Sequence, residues 1–340
     1  MDARKDRAGH QKVVRVFVMK IAITGGAGYV GSALVPYLLK NDHEVTVLDT
    51  FWFGDHLKNH SGLKKITGDI RNQFDLRRAF KGQDAVIHLA CISNDPSFDL
   101  NPEIGKSINL EAFKDILHVL RNENVARFIY ASSSSIYGVS DRHDVTEDAP
   151  KSPLTDYSKY KLGCEDLLKR YGMGGIWTIL RPATVCGYAP RQRLDVVVNA
   201  LTAHAVINKK MRITSKHNLR PNIDIRDMVL AYDFALTRDP KYVDRKVWNV
   251  GFENKSLFQI ANMVKEVVGG KIPIVEDPDN DPRSYHINSD KILDAGFMPK
   301  YSIKEAILSL KTAIDDGKLF SPLDNPEYYN VKQMKKMGWS

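Results

Sequence analysis

At 340 residues, with 43% hydrophobic and 26% charged side chains, the chain can bury a large core and has an ordinary folded-enzyme composition, not a disordered one. Its longest apolar runs, such as 13–19 and 176–180, are far too short to cross a bilayer. Net charge is +8, but residues 1–20 carry six basic side chains against Asp2 and Asp6, and no basic face interleaved with aromatics marks a nucleic-acid surface.

Residues 1–19 read as an N-terminal appendage that lacks the apolar core and cleavage site of a signal peptide. Strand-like runs follow at 20–24, 44–48, 64–67, 85–89, 127–131 and 177–180. Helix-like segments between them begin near Gly28, Asn72, Pro102 and Asp156, with apolar residues at helical spacing, as at Ile116, Leu117 and Leu120. This alternation predicts an α/β fold with a doubly wound parallel sheet of six strands over residues 20–180, whose ligand crevice lies beyond the C-terminal strand ends. Beyond residue 181 prolines punctuate shorter elements, which predicts a smaller substrate-binding lobe over most of 181–320, with segments near 220–250 able to return to the main domain. Residues 321–340 form a polar, aromatic-containing arm, suited to pack on the body or on a partner subunit.

The first run leads directly into Gly25, Gly28 and Gly31, with Tyr29 and Val30 between the last two. Glycines spaced three apart at the mouth of a helix let backbone approach a pyrophosphate, and the helix N-terminus faces the anion. The second run ends in Asp49, 21 residues beyond Gly28, where a carboxylate can accept both ribose hydroxyls of an adenosine. That charge repels a 2′-phosphate, and no Arg follows it immediately, so the cofactor is expected to be NAD and not NADP.

Tyr157 and Lys161 stand four apart at the start of a helix and so share a face. A tyrosine titrates near pH 10 and is a poor base at neutrality, but a neighbouring ammonium and a positively charged nicotinamide ring lower it. Tyr160 is the rival tyrosine, but Cys164 stands four beyond it, so the lysine selects Tyr157. Ser132 to Ser135 follow the fifth strand at the crevice edge, where a hydroxyl can bond the reacting alcohol oxygen. Cys91, Cys164 and Cys186 are widely spaced and form no Cys-x-x-Cys pair, which argues against a disulfide framework or a zinc site and fits a reducing cytoplasm. The residual positive charge suits an anionic small substrate.

Over nearly its whole length the chain resembles the extended short-chain dehydrogenases/reductases of the NAD-dependent sugar epimerase/dehydratase family. The resemblance rests on Gly25-x-x-Gly28-x-x-Gly31, Asp49, Gly68-Asp69-Ile70, His88-Leu89-Ala90, the serine-rich segment ending Tyr137-Gly138, Tyr157-x-x-x-Lys161, Leu180-Arg-Pro182 and the segment Arg220 to Asp227. It implies a Rossmann domain in which Asp69 and Ile70 contact adenine and Leu89 and Ala90 line the cofactor channel. It also implies that Ser133 partners Tyr157, and that Arg220 and Arg283 hold the diphosphate of a nucleoside-diphosphate sugar. Ser134 and Ser135 stand where dehydratases of the family carry acidic residues, which disfavours elimination chemistry. Ser134 and Arg191 join the candidate substrate residues, Arg191 together with Arg193 adding positive charge to an unusual loop. The expected activity is 4-epimerisation of the nucleotide sugar, with a nucleotide-sugar 4-dehydrogenase or 4-ketoreductase of surface-polysaccharide synthesis as the alternative on the same residues. A non-catalytic NAD-sensing regulator is the more distant reading, and a homodimer through the helices beginning near Pro102 and Asp156 is expected.

Overall fold

A computed structural model describes residues 18–139, 144–278, 284 and 286–339. The strands are β1 (Lys20–Thr24), β2 (Glu44–Asp49), β3 (Leu63–Thr67), β4 (Ala85–His88), β5 (Arg127–Ala131), β6 (Ile176–Pro182), β7 (Thr184–Cys186), β8 (Met211–Thr214), β9 (Leu219–Asp224), β10 (Lys246–Val250), β11 (Glu253–Ser256) and β12 (Ile274–Asp277). Seven of them form one parallel sheet in the order β10-β6-β5-β4-β1-β2-β3. The fold is a Rossmann-type doubly wound α/β sheet.

Alternation along each strand sends its side chains to opposite faces. Ile21 and Ile23 of β1 pack on the helices Tyr29–Lys40 and Ile225–Thr237, through Leu34, Leu38, Met228 and Ala235. Ala22, between them, faces the other side, where Leu76, Phe113, Ile116, Leu120 and Leu168 gather from Gln73–Phe80, Ala112–Asn122 and Asp156–Tyr171. The sheet exceeds the six strands expected by one. β10 was not legible because its alternation is interrupted by Asn249, a fully buried amide whose Nδ2 donates to Val145 O at 3.0 Å and Asn288 O at 2.9 Å.

The helix expected near Pro102 is a composite. Pro102–Lys106 opens into a wider π turn at Ser107–Glu111 before Ala112–Asn122 continues. Asn109 in that turn grips the loop after β4, accepting from Ile92 N at 2.9 Å and donating to Ile92 O at 2.9 Å.

A smaller lobe is built from the β11-β9-β7 sheet, the β8-β12 pair and the helices Val197–Asn208, Leu257–Val268 and Ile303–Asp315. Its separate core holds Val198, Leu201, Met211, Ile260, Val264 and Ile307. Residues 1–17 of the expected appendage and the candidate Arg283 lie outside the described residues. Among the described residues, no helix is long and apolar enough to cross a membrane, and no cluster of His, Cys, Asp or Glu could hold a metal ion.

Candidate active site

Strand order reverses between β1 and β4, which places a crevice at their C-terminal ends. The glycine loop fills that position. Gly25 has φ +72°, and a Cβ there would lie 2.6 Å from Ala90 N, so only glycine lets the loop cross the end of β4. At Gly31 a Cβ would lie 2.5 Å from Gly26 O, so its absence lets the helix start directly against the loop. The helix begins at Tyr29 with no side-chain cap and no acid in its first turn, leaving its N-terminal amides suited to an outside anion.

Asp49 ends β2 beside this loop, its Oδ2 accepting from Ala27 N and its Oδ1 from Phe51 N, both at 2.9 Å. Burial pushes its carboxyl above the usual range, and the backbone donors of Phe51 and Ala27 oppose the rise. A desolvated carboxylate here keeps acceptor capacity for ribose hydroxyls. Asp69, by contrast, is engaged by Arg71, whose Nη2 lies 2.6 Å from Asp69 Oδ2. Burial alone would raise that carboxyl, but Arg71 holds it below the usual range.

The helix Asp156–Tyr171 starts where it does because Thr155 caps it. The Thr155 hydroxyl accepts from Ser158 N, and the Ser158 hydroxyl reciprocates on Thr155 N at 3.1 Å. Tyr157 therefore sits in the first turn and Lys161 one turn on. Lys161 is buried, donates through Nζ to Ala131 O at 2.7 Å, and lies 6.0 Å from the Tyr157 ring centre. Burial pushes the Tyr157 hydroxyl above its ordinary value; the Lys161 charge and the Ser133 hydroxyl pull the other way. Burial would depress Lys161, but Cys91 and Tyr157 outweigh it and hold the ammonium firmly protonated.

Ser133 follows β5 and caps the short turn Ser134–Tyr137, its Oγ accepting from Ser135 N at 3.1 Å. This turn is anchored from behind. Arg181 of β6 donates to Glu165 through Nε at 2.9 Å and Nη2 at 2.7 Å, and to the Tyr137 hydroxyl through Nη1 at 2.7 Å. Ser132 Oγ donates to the same Glu165 at 2.6 Å. Arg181 holds the Glu165 carboxyl below its usual range against the effect of burial.

These elements enclose a cleft of ≈ 550 Å³. Gly25, Gly28, Tyr29, Val30, Gly31, Leu89, Ser133, Ser134, Tyr157, Lys161 and Arg220 all line it. Asp49, Asp69, Ile70 and Ala90 are not on its wall; Asp49 and Ala90 adjoin the glycine loop that is. Tyr29 spends its hydroxyl on the smaller lobe, donating to Gly187 O at 2.6 Å. Arg191, expected at the substrate, is not on the wall either. Its backbone N–H donates to Ser32 Oγ at 3.0 Å, and its guanidinium lies 4.1 Å from the Phe53 ring centre, beside the glycine helix and the loop after Asp49. Arg193, two residues on, lines the cleft and pairs through Nε with Asp195 at 2.6 Å. The sequence signalled two basic residues in this loop but not which one faces the cleft. Cys91, Asp195 and Thr184 also line it; the sequence marked Cys91 as one of three widely spaced thiols.

The glycine cradle, closed to a Cβ at Gly25 and Gly31, and the half-buried carboxylate of Asp49 fit a dinucleotide. Residues 21–251 match the NAD dependent epimerase/dehydratase family. The chain is 26% identical over 316 residues to a UDP-glucose 4-epimerase of Lactobacillus helveticus, covering 86% of this chain and 95% of that protein. It is 30% identical over 279 residues to a UDP-glucose 4-epimerase of Streptomyces lividans, covering 76% and 84%. Its structure superposes on the UDP-glucose 4-epimerase of Thermus thermophilus in complex with NAD with TM-score 0.78 and 25% identity, over 87% of this chain and 99% of that one.

Proposed function

Because the chain belongs to the NAD-dependent epimerase/dehydratase family, we propose that it is a nucleotide-sugar 4-epimerase of the cytoplasm, with Ser133, Tyr157 and Lys161 as its catalytic residues. The observation that carries this reading is the convergence of Tyr157, Lys161 and Ser133 on the cleft that the glycine loop also lines, with Arg220 reaching it from the smaller lobe. NAD, when bound, would supply reversible hydride chemistry at C4 of the sugar. Tyr157 takes the C4 hydroxyl proton and gives it back, and Ser133 shares the hydrogen bond to that oxygen. Lys161, anchored on Ala131 O, opposes the desolvation that raises Tyr157 and would hold the nicotinamide ribose. Asp49 accepts from the adenosine ribose, with Asp69 and Ile70 toward the base. Arg220 and Arg283 hold the diphosphate of the nucleotide sugar. In the same reading two copies pair through the helices beginning at Pro102 and Asp156.

The test is incubation of the purified protein with NAD and a panel of nucleotide sugars, following NADH absorbance and product stereochemistry. Formation of the 4-epimer without net NADH supports the proposal. Net NADH identifies a 4-dehydrogenase instead, and no conversion of any sugar favours a sensing role. Arg220→Ala is expected to weaken nucleotide-sugar binding by about 1.5–3 kcal/mol, the worth of a charge-assisted hydrogen bond, with NAD binding unchanged in titration.

A further inference from the structure

The arm at the end of the chain reaches the cofactor side of the cleft. Leaving the smaller lobe, Leu319 and Tyr328 pack with Leu194 and Leu310, and Tyr328 O accepts from Leu194 N at 2.8 Å. The helix Asn330–Lys336 then crosses to the loops that follow β2 and β4. Asn330 makes three ties: its Oδ1 accepts from Arg191 Nη2 at 2.7 Å, its backbone N–H donates to Asp195 Oδ2 at 3.0 Å, and its Nδ2 donates to Ser93 Oγ at 3.0 Å. Gln333 Nε2 donates to Trp52 O at 2.7 Å, and the Trp339 ring meets Trp52 edge-on at 5.0 Å.

Arg191 is the unusual member of this cluster. It is 3% exposed, and its Nε meets no hydrogen-bond partner among the described residues. The two carboxylates whose fields reach it are committed elsewhere, Asp195 to Arg193 and Asp49 to backbone amides. A desolvated cation with an idle donor is costly unless an anion completes it. It stands where its own backbone touches Ser32 of the glycine helix and its guanidinium covers Phe53, four residues past Asp49. The anion that belongs at that place is a dinucleotide phosphate.

We infer that Arg191 is a cofactor-holding residue clamped in place by Asn330, and that residues 328–339 form a latch over the Asp49 end of the dinucleotide site, so that bound NAD leaves only when the latch lifts. The inference rests on the NAD reading above. It separates roles within the loop, giving Arg191 to the cofactor and Arg193 to the cleft.

The test loads the full-length protein with radiolabelled NAD and follows its release into excess unlabelled NAD. Wild type, Arg191→Gln and Trp339→Ala are compared, with circular dichroism of each apo form to verify folding. Trp339 lies at the end of the arm, so Trp339→Ala loosens the latch without touching the cleft. Both variants are expected to release NAD about tenfold faster or more, the equivalent of one charge-assisted or well-packed contact, and to release ADP-ribose faster by a similar factor. Release at the wild-type rate from both folded variants overturns the latch. Failure of the wild type to bind NAD at all overturns the cofactor reading beneath it, an outcome distinct from the first.

Discussion

Tyr157 is held in a site that raises its proton affinity by burial while Lys161 works against that rise. Removing only its hydroxyl, in Tyr157→Phe, is expected to cut turnover at least about 100-fold while NAD content stays at the wild-type level. Near-normal turnover across a range of pH would place the proton transfer elsewhere. The neighbouring His88 makes a different prediction. Burial lowers it from 6.5 to about 3, with its Nδ1 2.6 Å from Thr24 Oγ1. The unfolded chain takes up this proton below about pH 6.5 while the folded chain refuses it, so stability falls as pH drops from 6.5 toward 3 and is indifferent to this group above that window. Urea unfolding between pH 7 and 4.5 is expected to show a shallower loss of stability in His88→Gln than in wild type; matching slopes would mean His88 is not the group responsible. At this scale the sequence was informative where chemistry depends on local spacing. Tyr157 and Lys161, one helical turn apart, were readable; Arg191 and Arg193, whose destinations depend on which lobe each meets, were not.

Among the elements, the turn carrying Ser133 depends on two side chains, Glu165 and Arg181, that do not line the cleft. Glu165 of the Asp156–Tyr171 helix receives Arg181 of β6, Ser132 and, through Oε2 at 2.9 Å, Lys169. Glu165→Ala leaves Arg181, 1% exposed, without its carboxylate, and is expected to destabilise the protein by about 3–5 kcal/mol in denaturant titration. Glu165→Gln is expected to cost less, because an amide keeps one acceptor for Arg181. A Glu165→Ala protein as stable as wild type would remove this network from the account of how Ser133 is positioned. The strands at 20–24 and 127–131 were readable to the residue because they are apolar runs bounded by turn-formers. β10 was not, since Asn249 is satisfied by chain more than thirty residues away. The π turn at Ser107–Glu111 was equally hidden, for its purpose is the amide of Asn109 on Ile92 and nothing in the helical spacing reveals that partner.

The whole molecule has two lobes but not two independent units. β6 ends at Pro182 in the main sheet and β7 begins at Thr184 in the smaller lobe; β9 ends at Asp224 in the smaller lobe, and the helix Ile225–Thr237 begins at once against the main sheet. β10 and β11 repeat the outward crossing between Val250 and Glu253. These three passages are direct, each of two residues or fewer, with no linker at those points to act as a hinge. The lobes are stitched like two pieces of cloth along a seam, and neither can come loose while the other stays whole. Calorimetry of the apo protein should therefore record a single melting event, with calorimetric and van't Hoff enthalpies in agreement. Two resolved transitions would mean that the seam parts before the cloth does. Direct passages of this kind restrain the cleft from opening and shutting like a jaw. The sugar then has to turn over within walls that the direct passages restrain, and most of the room for that rotation is set at folding rather than created on binding.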